Sequence, residues 1–229
     1  MAEPITISSV TTSIASPQQA GTAITVKVNA KSGLNKTLSY KIWAYNTTTS
    51  TWKLIKNYSS TSTATWKPQT AGNYTIWVQV KDSIGNMAYK MVENYKVSEQ
   101  VKRVEEDNAK ITYSTGWAVQ SSTKHSAGKL KYTSKANAKL SFKFTGTGID
   151  FIGLTGSNKG LAIVNIDGKE YTVDMYSATT AYQKKVLSVT GLTNTTHTVT
   201  LTTMGFGQIN STGSTVTIDA FDIHGGNIA

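Results

Sequence analysis

The chain has 229 residues, a formal net charge of +10 at pH 7, three prolines and no cysteine, so it is long enough for one large or two ordinary domains. Without cysteine, disulfide frameworks, thiolate metal sites and cysteine nucleophiles are excluded, and the core rests on apolar burial and strand pairing. Arg103 is the only arginine among 23 basic residues, so the bidentate fork that reads phosphate and guanine is almost absent and nucleic acid is not an expected partner; no run of 18 apolar residues supports membrane insertion.

The opening residues Met1-Ala2-Glu3-Pro4 show no basic-then-apolar leader and read as a mature N-terminus with an added start codon. A secreted or bacterial cell-surface location is the expectation. Strand signals then recur every 8 to 12 residues, separated by Gly, Asn, Ser and Thr, with no sustained helical period, so the class is all-β. The first seven predicted strands are Ile5 to Val10, Ala23 to Ala30, Leu38 to Tyr45, Thr51 to Tyr58, Thr63 to Lys67, Gly72 to Asp82 and Ala88 to Val97. Seven short strands in about 100 residues read as an immunoglobulin-like or fibronectin-like sandwich.

Four tryptophans and no phenylalanine lie in the first half, whereas all five phenylalanines and only Trp117 lie in the second. That shift marks two cores: residues 1–98, a linker at 99–103, and residues 104–229. In the second module the predicted strands are Lys139 to Thr145, Gly148 to Leu154, Gly160 to Asp167, Tyr171 to Met175, Lys184 to Val189, His197 to Thr203 and Val216 to Ile223. Asp167-Gly168 is a two-residue hairpin turn signal, and Gly146-Thr147-Gly148 is read as a turn joining two strands.

Two resemblances follow. Ser39-Tyr40-Lys41-Ile42-Trp43, Trp66-Lys67-Pro68, Gly72-Asn73-Tyr74 and Asn94-Tyr95-Lys96-Val97 resemble the triple-tyrosine (Y_Y_Y) family of bacterial sandwich domains over about residues 35 to 98. Phe144-Thr145-Gly146-Thr147-Gly148-Ile149, Tyr176-Ser177-Ala178-Thr179-Thr180-Ala181-Tyr182-Gln183 and Ile218-Asp219-Ala220-Phe221 resemble jelly-roll carbohydrate-binding-like modules of bacterial surface proteins and glycoside hydrolases. The implied fold is an Ig/fibronectin-like β-sandwich followed by a jelly-roll β-sandwich, and the implied work is binding.

Alternation along a strand separates core from surface. Tyr40, Ile42 and Ala44, and Tyr74, Ile76, Val78 and Val80, read as core; Trp43, Tyr45 and Trp77 then face outward. If those strands are neighbours, Trp43 and Trp77 form a flat aromatic platform. It serves as a stabilising cross-strand pair, an interface with another module or subunit, or a stacking surface for a sugar.

Second-module binding candidates lie in loops: Trp117 and His125 in one long polar loop, Asn158 and Lys159 in another, Tyr176 and Tyr182 in a third. Amide, ammonium and aromatic groups together suit a carbohydrate. Tyr176 and Tyr182 are equally readable as loop anchors. No cofactor is required by any motif, but the resemblance implies a structural calcium at Glu106 and Asp219, where the first and last strands meet; exposed edge charges are the other reading.

Catalytic signatures are missing: no G-x-S-x-G, no phosphate loop, no zinc spacing among three histidines and no carboxylate pair marked by context. The expected function is therefore non-enzymatic recognition of polysaccharide or cell-wall glycan. The alternative is a subunit of a self-associating surface fibre or adhesin.

Overall fold

A computed structural model describes residues 5–33 and 35–229; the reading placed on Met1 to Pro4 lies outside the described residues. The chain divides into two compact units, Met1–Gln100 and Val101–Ala229.

The first unit has eight strands: β1 Ile5–Thr12, β2 Gln18–Gln19, β3 Ile24–Ser32, β4 Leu38–Asn46, β5 Thr51–Ser59, β6 Thr63–Trp66, β7 Gly72–Asp82 and β8 Met87–Ser98. One sheet runs β1-β3-β6 and the other β2-β8-β7-β4-β5. Alternation explains how they close: Ile24, Val26 and Val28 are buried from one sheet, Ile42, Ala44, Ile76, Val78 and Val80 from the other, in one apolar cluster. The predicted inward residues of β4 and β7 are all buried.

Three tyrosines and a tryptophan anchor this core. Trp66 is 3% exposed and meets Tyr74 and Tyr95 edge-on, with centroids 4.9 and 5.5 Å away. The buried tyrosines keep their polar ends satisfied: Tyr74 Oη donates to the Thr70 carbonyl (2.7 Å) and Tyr95 Oη to the Ile14 carbonyl (2.9 Å).

The second unit holds β9 Val101–Glu105, β10 Thr112–Tyr113, β11 Ala118–Ser121, β12 Lys129–Thr133, β13 Lys139–Thr155, β14 Leu161–Ile166, β15 Lys169–Asp174, β16 Ala181–Thr203, β17 Val216–Ile218, β18 Ala220–His224 and β19 Asn227–Ile228. The large sheet runs β15-β14-β16-β13-β18-β9, with β10 and β19 also on β13; the small sheet is β11-β12-β17. Phe142, Phe144, Phe151 and Phe221 lie in one core with Ile218 and Val216 of the small sheet, so this unit too is a β-sandwich.

Four details depart from the sequence reading. Gly146-Thr147-Gly148 does not turn: β13 is one strand of 17 residues with a register irregularity there. Gly146 has φ +148°, and a Cβ on it would meet the His224 backbone oxygen, so glycine serves close backbone approach rather than reversal. The two strands expected at 184–189 and 197–203 are likewise one, β16, whose residues 191–194 protrude opposite that irregularity.

Strand β9 begins at Val101, inside the stretch 99–103 read as a linker, because Val101 to Arg103 extend the ladder on β18. The supposed long loop around Trp117 and His125 contains β11, a short 3₁₀ turn at Ser126–Gly128 and β12. All four β11 residues are exposed, so no apolar alternation announced it. By contrast Asp167-Gly168 closes β14 onto β15 as expected, with φ of 51° and 91° and Ile166 opposite Lys169.

Trp66→Ala removes the ring that both core tyrosines pack on, and is expected to cost about 3 to 5 kcal/mol; Trp52→Ala, at a 55% exposed position, is expected to cost about 1 kcal/mol or less. Urea denaturation followed by tryptophan fluorescence checks the contrast; equal costs contradict the placement of Trp66 in the core.

Candidate functional site

In the second unit the loop between β13 and β14 is tied to the segment preceding β17. Thr212 N–H donates to the Ser157 carbonyl (2.8 Å), Gly160 N–H to the Thr215 carbonyl (2.9 Å) and Ser211 Oγ to the Lys159 carbonyl (2.7 Å). This tie places Asn158 and Lys159 on a cleft of about 420 Å³, with Gln120, Tyr132, Leu154 and Thr215 among its other walls. Lys159 is 8% exposed, and burial pushes its ammonium below the usual lysine pKa. Among the described residues its Nζ has no hydrogen-bond or ion-pair partner. An unpaired ammonium, two amides, a phenol and an apolar floor form a set that hydrogen-bonds hydroxyls while covering a ring face.

The other sequence-selected residues are not brought to this cleft. Trp117 packs on the core edge-on to Tyr113 (5.2 Å), and its Nε1 donates to the Lys139 carbonyl (3.2 Å). His125 is 3% exposed, 5.6 Å from the Tyr182 ring, while Lys124 Nζ lies 4.9 Å from that same ring. Tyr176 bridges to Gly156 on the far end of the loop. The cleft's own Gln120 and Tyr132 were not anticipated, because the segment carrying them read as loop.

Acidic residues gather where β9 meets β18. Glu106 and Asp219 are both buried, and burial raises the pKa of each. Asp219 Oδ1 accepts from Ser126 N–H (2.8 Å), and Glu105 Oε1 accepts from Ser126 Oγ (3.0 Å). Glu105 Oε2, Glu106 Oε1, Asp219 Oδ2 and both His125 ring nitrogens are buried without hydrogen-bond partners. No three His, Asp or Glu side chains among the described residues are already grouped to hold a metal ion.

Another buried carboxylate, that of Asp150, is fully occupied. Asp150, on the sheet face opposite Ile149 and Phe151, meets Lys185 Nζ (2.6 Å), Ser188 Oγ (2.5 Å) and His224 Nε2 (3.0 Å). Burial opposes its charge, but those three partners outweigh it and hold its pKa below the usual value. Serine and histidine both contact the carboxylate rather than each other, so the cluster lacks the nucleophile-to-base hydrogen bond of a hydrolytic triad.

In the first unit, Trp43 lies directly opposite Trp77 on the outer face of β4 and β7, but the surface is not the flat platform expected. Trp52 stands at 60° to Trp77 (5.9 Å) and Tyr89 at 86° (6.2 Å), making a hollow of about 390 Å³ lined by Trp43, Trp52, Trp77, Gln79 and Tyr89. Tyr45 backs Trp52 at 4.7 Å. The walls come from β5 and β8, whose outward residues Trp52-x-Leu54 and Met87-x-Tyr89-x-Met91 carried the alternating signal that identifies them.

No family model matches the chain, and no curated protein matches it. Among solved structures, one of a carbohydrate-binding module from the β-sandwich superfamily aligns over 98% of both chains at 13% identity and a TM-score of 0.39. An exo-β-1,3-galactanase from Phanerochaete chrysosporium, solved with galactose, aligns over 90% of this chain at 11% identity and a TM-score of 0.36; this chain spans 55% of that enzyme.

The histidine of β16 has a structural task. His197 Nδ1 lies 2.6 Å from Asp167 Oδ2 and Nε2 lies 2.8 Å from the Thr193 carbonyl, so both nitrogens face acceptors. Neutral imidazole donates from only one nitrogen; the doubly protonated ring satisfies both. Burial works against that charge, but Asp167 and the Thr193 carbonyl outweigh it, so the His197 pKa is raised. The Thr198 N–H and His197 hold the Asp167 pKa low. A raised histidine stabilises below its unfolded pKa and loses that contribution as pH rises through the folded value; a lowered carboxylate loses its contribution as pH falls through its own folded value. The clip is therefore strongest between the ordinary carboxylate and imidazole ranges, about pH 4.5 to 6. The melting-temperature advantage of the parent over His197→Gln is expected to be largest there and to shrink toward pH 8.5. A pH-independent difference contradicts the charged clip.

Proposed function

We propose that the chain is a non-catalytic pair of binding modules from an exported bacterial surface or cell-wall-associated protein, holding polysaccharide in the second-unit cleft at Asn158 and Lys159. The observation that supports this most is Lys159, whose side chain is 8% exposed at a cleft and whose ammonium is unpaired among the described residues. An ammonium on a packed-down stem, lowered in pKa by burial and without an internal acceptor, gains from a ligand that supplies one. Tyr132 and the Leu154 side chain offer the apolar surface for a sugar ring, and Asn158 and Gln120 offer amides for its hydroxyls. In this reading the first unit belongs to the immunoglobulin/fibronectin-like triple-tyrosine sandwiches and the second is a jelly roll.

Binding to a polysaccharide panel by affinity electrophoresis tests the site. Lys159→Gln and Tyr132→Ala are each expected to weaken the retained glycan about tenfold, or about 1.4 kcal/mol, with near-parental melting; Trp117→Ala is expected to change stability more than affinity. Parental affinity in both cleft variants contradicts the site.

A structural calcium belongs to the same reading. The buried oxygens of Glu105, Glu106 and Asp219 that accept no hydrogen bond are hard ligands of the kind calcium takes, although the side chains have to draw together to share one ion and the Asp219 oxygen lies 4.0 Å from His125 Nδ1. An ion held by these residues would offset the repulsion among the three carboxylates, which lie at the end of β9 and at Asp219 between β17 and β18. Chelation is expected to lower the melting temperature and calcium, but not magnesium, to restore it; an unchanged melting curve removes the ion from the account.

A further inference from the structure

The hollow on the outer face of the first unit has features that sheet stability does not require. Tilted and edge-to-face ring contacts are themselves ordinary ways to stabilise a sheet face; what such pairing does not require is open space, and Trp52 and Tyr89, at 60° and 86° to Trp77, leave about 390 Å³ of it. Both walls are 55% exposed. Space of that volume with an aromatic floor and two aromatic walls fits one stacked ring with its neighbours running out along the face.

The polar groups at its edge are specific. Gln79 Nε2 donates to Tyr89 Oη (2.8 Å), which fixes the amide and leaves Gln79 Oε1 without a donor among the described residues. Gln79 is in register with Lys41 on β4 and with Tyr89 on β8. Lys41 Nζ lies 4.4 Å from the centre of the Trp43 ring, and Lys81 Nζ lies 4.2 Å from that of Tyr58, so two ammonium groups are held against aromatic rings beside the hollow. The Lys41 row is two residues, about 7 Å, along the strands from the Trp43–Trp77 row.

Charge is one-sided there. Outward positions from Lys41 to Tyr45, from Trp77 to Lys81 and from Met87 to Met91 carry two lysines and no carboxylate, and Glu93 lies beyond Met91 at the end away from the lysines. Across residues 1–100, ten lysines face four acidic residues. One of those acids, Asp82, is consumed by its own turn, accepting from Ile84 N–H, Asn86 N–H and Asn86 Nδ2.

We propose that this face binds an acidic polysaccharide: a uronate ring stacks on Trp77 between Trp52 and Tyr89, a hydroxyl donates to Gln79 Oε1, and its carboxylate or that of the next sugar pairs with Lys41 and Lys81. A uronate is assigned rather than a phosphate-bearing polymer because residues 1–100 contain no arginine, whose fork serves phosphate best. This deepens the glycan-binding reading by naming the ligand's chemistry, but it does not depend on the cleft at Lys159.

The intact chain run in gels containing polygalacturonate, and in gels containing its methyl-esterified form, tests it. Polygalacturonate is expected to retard the parent at least several-fold more than the uncharged form. Trp52→Ala and Tyr89→Ala are expected to weaken binding about tenfold. Lys41→Gln with Lys81→Gln is expected to weaken only the charged polymer and to flatten its salt dependence, whereas Lys27→Gln with Lys31→Gln, on the other sheet, changes little. No retardation of the parent, or parental binding by the Trp52 and Tyr89 variants, overturns the proposal. So does equal loss from either lysine pair, which means diffuse charge attraction only. A dimer seen by light scattering that dissolves on Trp52→Ala also overturns it, because the face then covers a second copy. If Lys159→Gln alone abolishes binding, the second-unit reading stands and this one falls; if neither set of variants matters, both fall.

Discussion

The antiparallel register of β4 against β7 is the constraint on which the first unit depends. Ile42 opposite Val78 and Ala44 opposite Ile76 are buried to zero exposure, so the intervening pair, Trp43 and Trp77, has to emerge on the other side. A slip of one residue would bury lysine and glutamine and expose the apolar row. In a chain without disulfides or a long helix, no other device fixes that choice. The outer aromatic face is thus a by-product of the same alternation that builds the core, and its position is as well determined as the core itself.

The second unit solves the closure problem differently. Its long strands β13 and β16 pair along most of their length, and the chain accommodates their irregularity with Gly146 on one side and the protrusion of residues 191–194 on the other. His197 then ties that protrusion to the Asp167 turn through the Thr193 carbonyl and the Asp167 carboxylate. The loops that line the cleft therefore hang from a braced sheet. The tie between Ser157–Gly160 and Ser211–Thr215 combines backbone–backbone bonds with bonds from the Ser211 and Thr212 hydroxyls to backbone carbonyls, so the cleft's shape rests on those two side chains as well as on the backbone.

Much of this was legible before any coordinates. Strict alternation located the seven main strands of the first unit and the core faces of β4 and β7, and the Asp-Gly pair located the β14 to β15 turn. What failed has physical reasons. Glycine in a strand reads as a turn, but at Gly146 it serves the close approach of another backbone. Strand β11 is wholly exposed and carries no apolar period, so nothing in the sequence marks Gln120 as a strand residue, and β12, which carries Tyr132, is only five residues long with two buried positions. Trp117 and His125 look like loop contacts in sequence, yet each is drawn inward: one by its indole hydrogen bond and packing on Tyr113, the other by burial beside Asp219.

The two candidate sites also differ in how they stand with respect to stability. At Lys159 the side chain is packed down and its ammonium is partly desolvated without an internal partner, a local cost that a ligand would relieve. On the first unit the cost takes another form: Trp52, Leu54, Met87, Tyr89 and Met91 all leave large apolar surface in water. Lysines held over aromatic rings keep that surface hydrated without adding a carboxylate, which would neutralise it. Both arrangements trade intrinsic stability for an unmet demand, one for a hydrogen-bond acceptor and one for a ring face with negative charge. On the proposed readings a sugar's hydroxyl oxygens would answer the first demand and a uronate ring with its carboxylate the second.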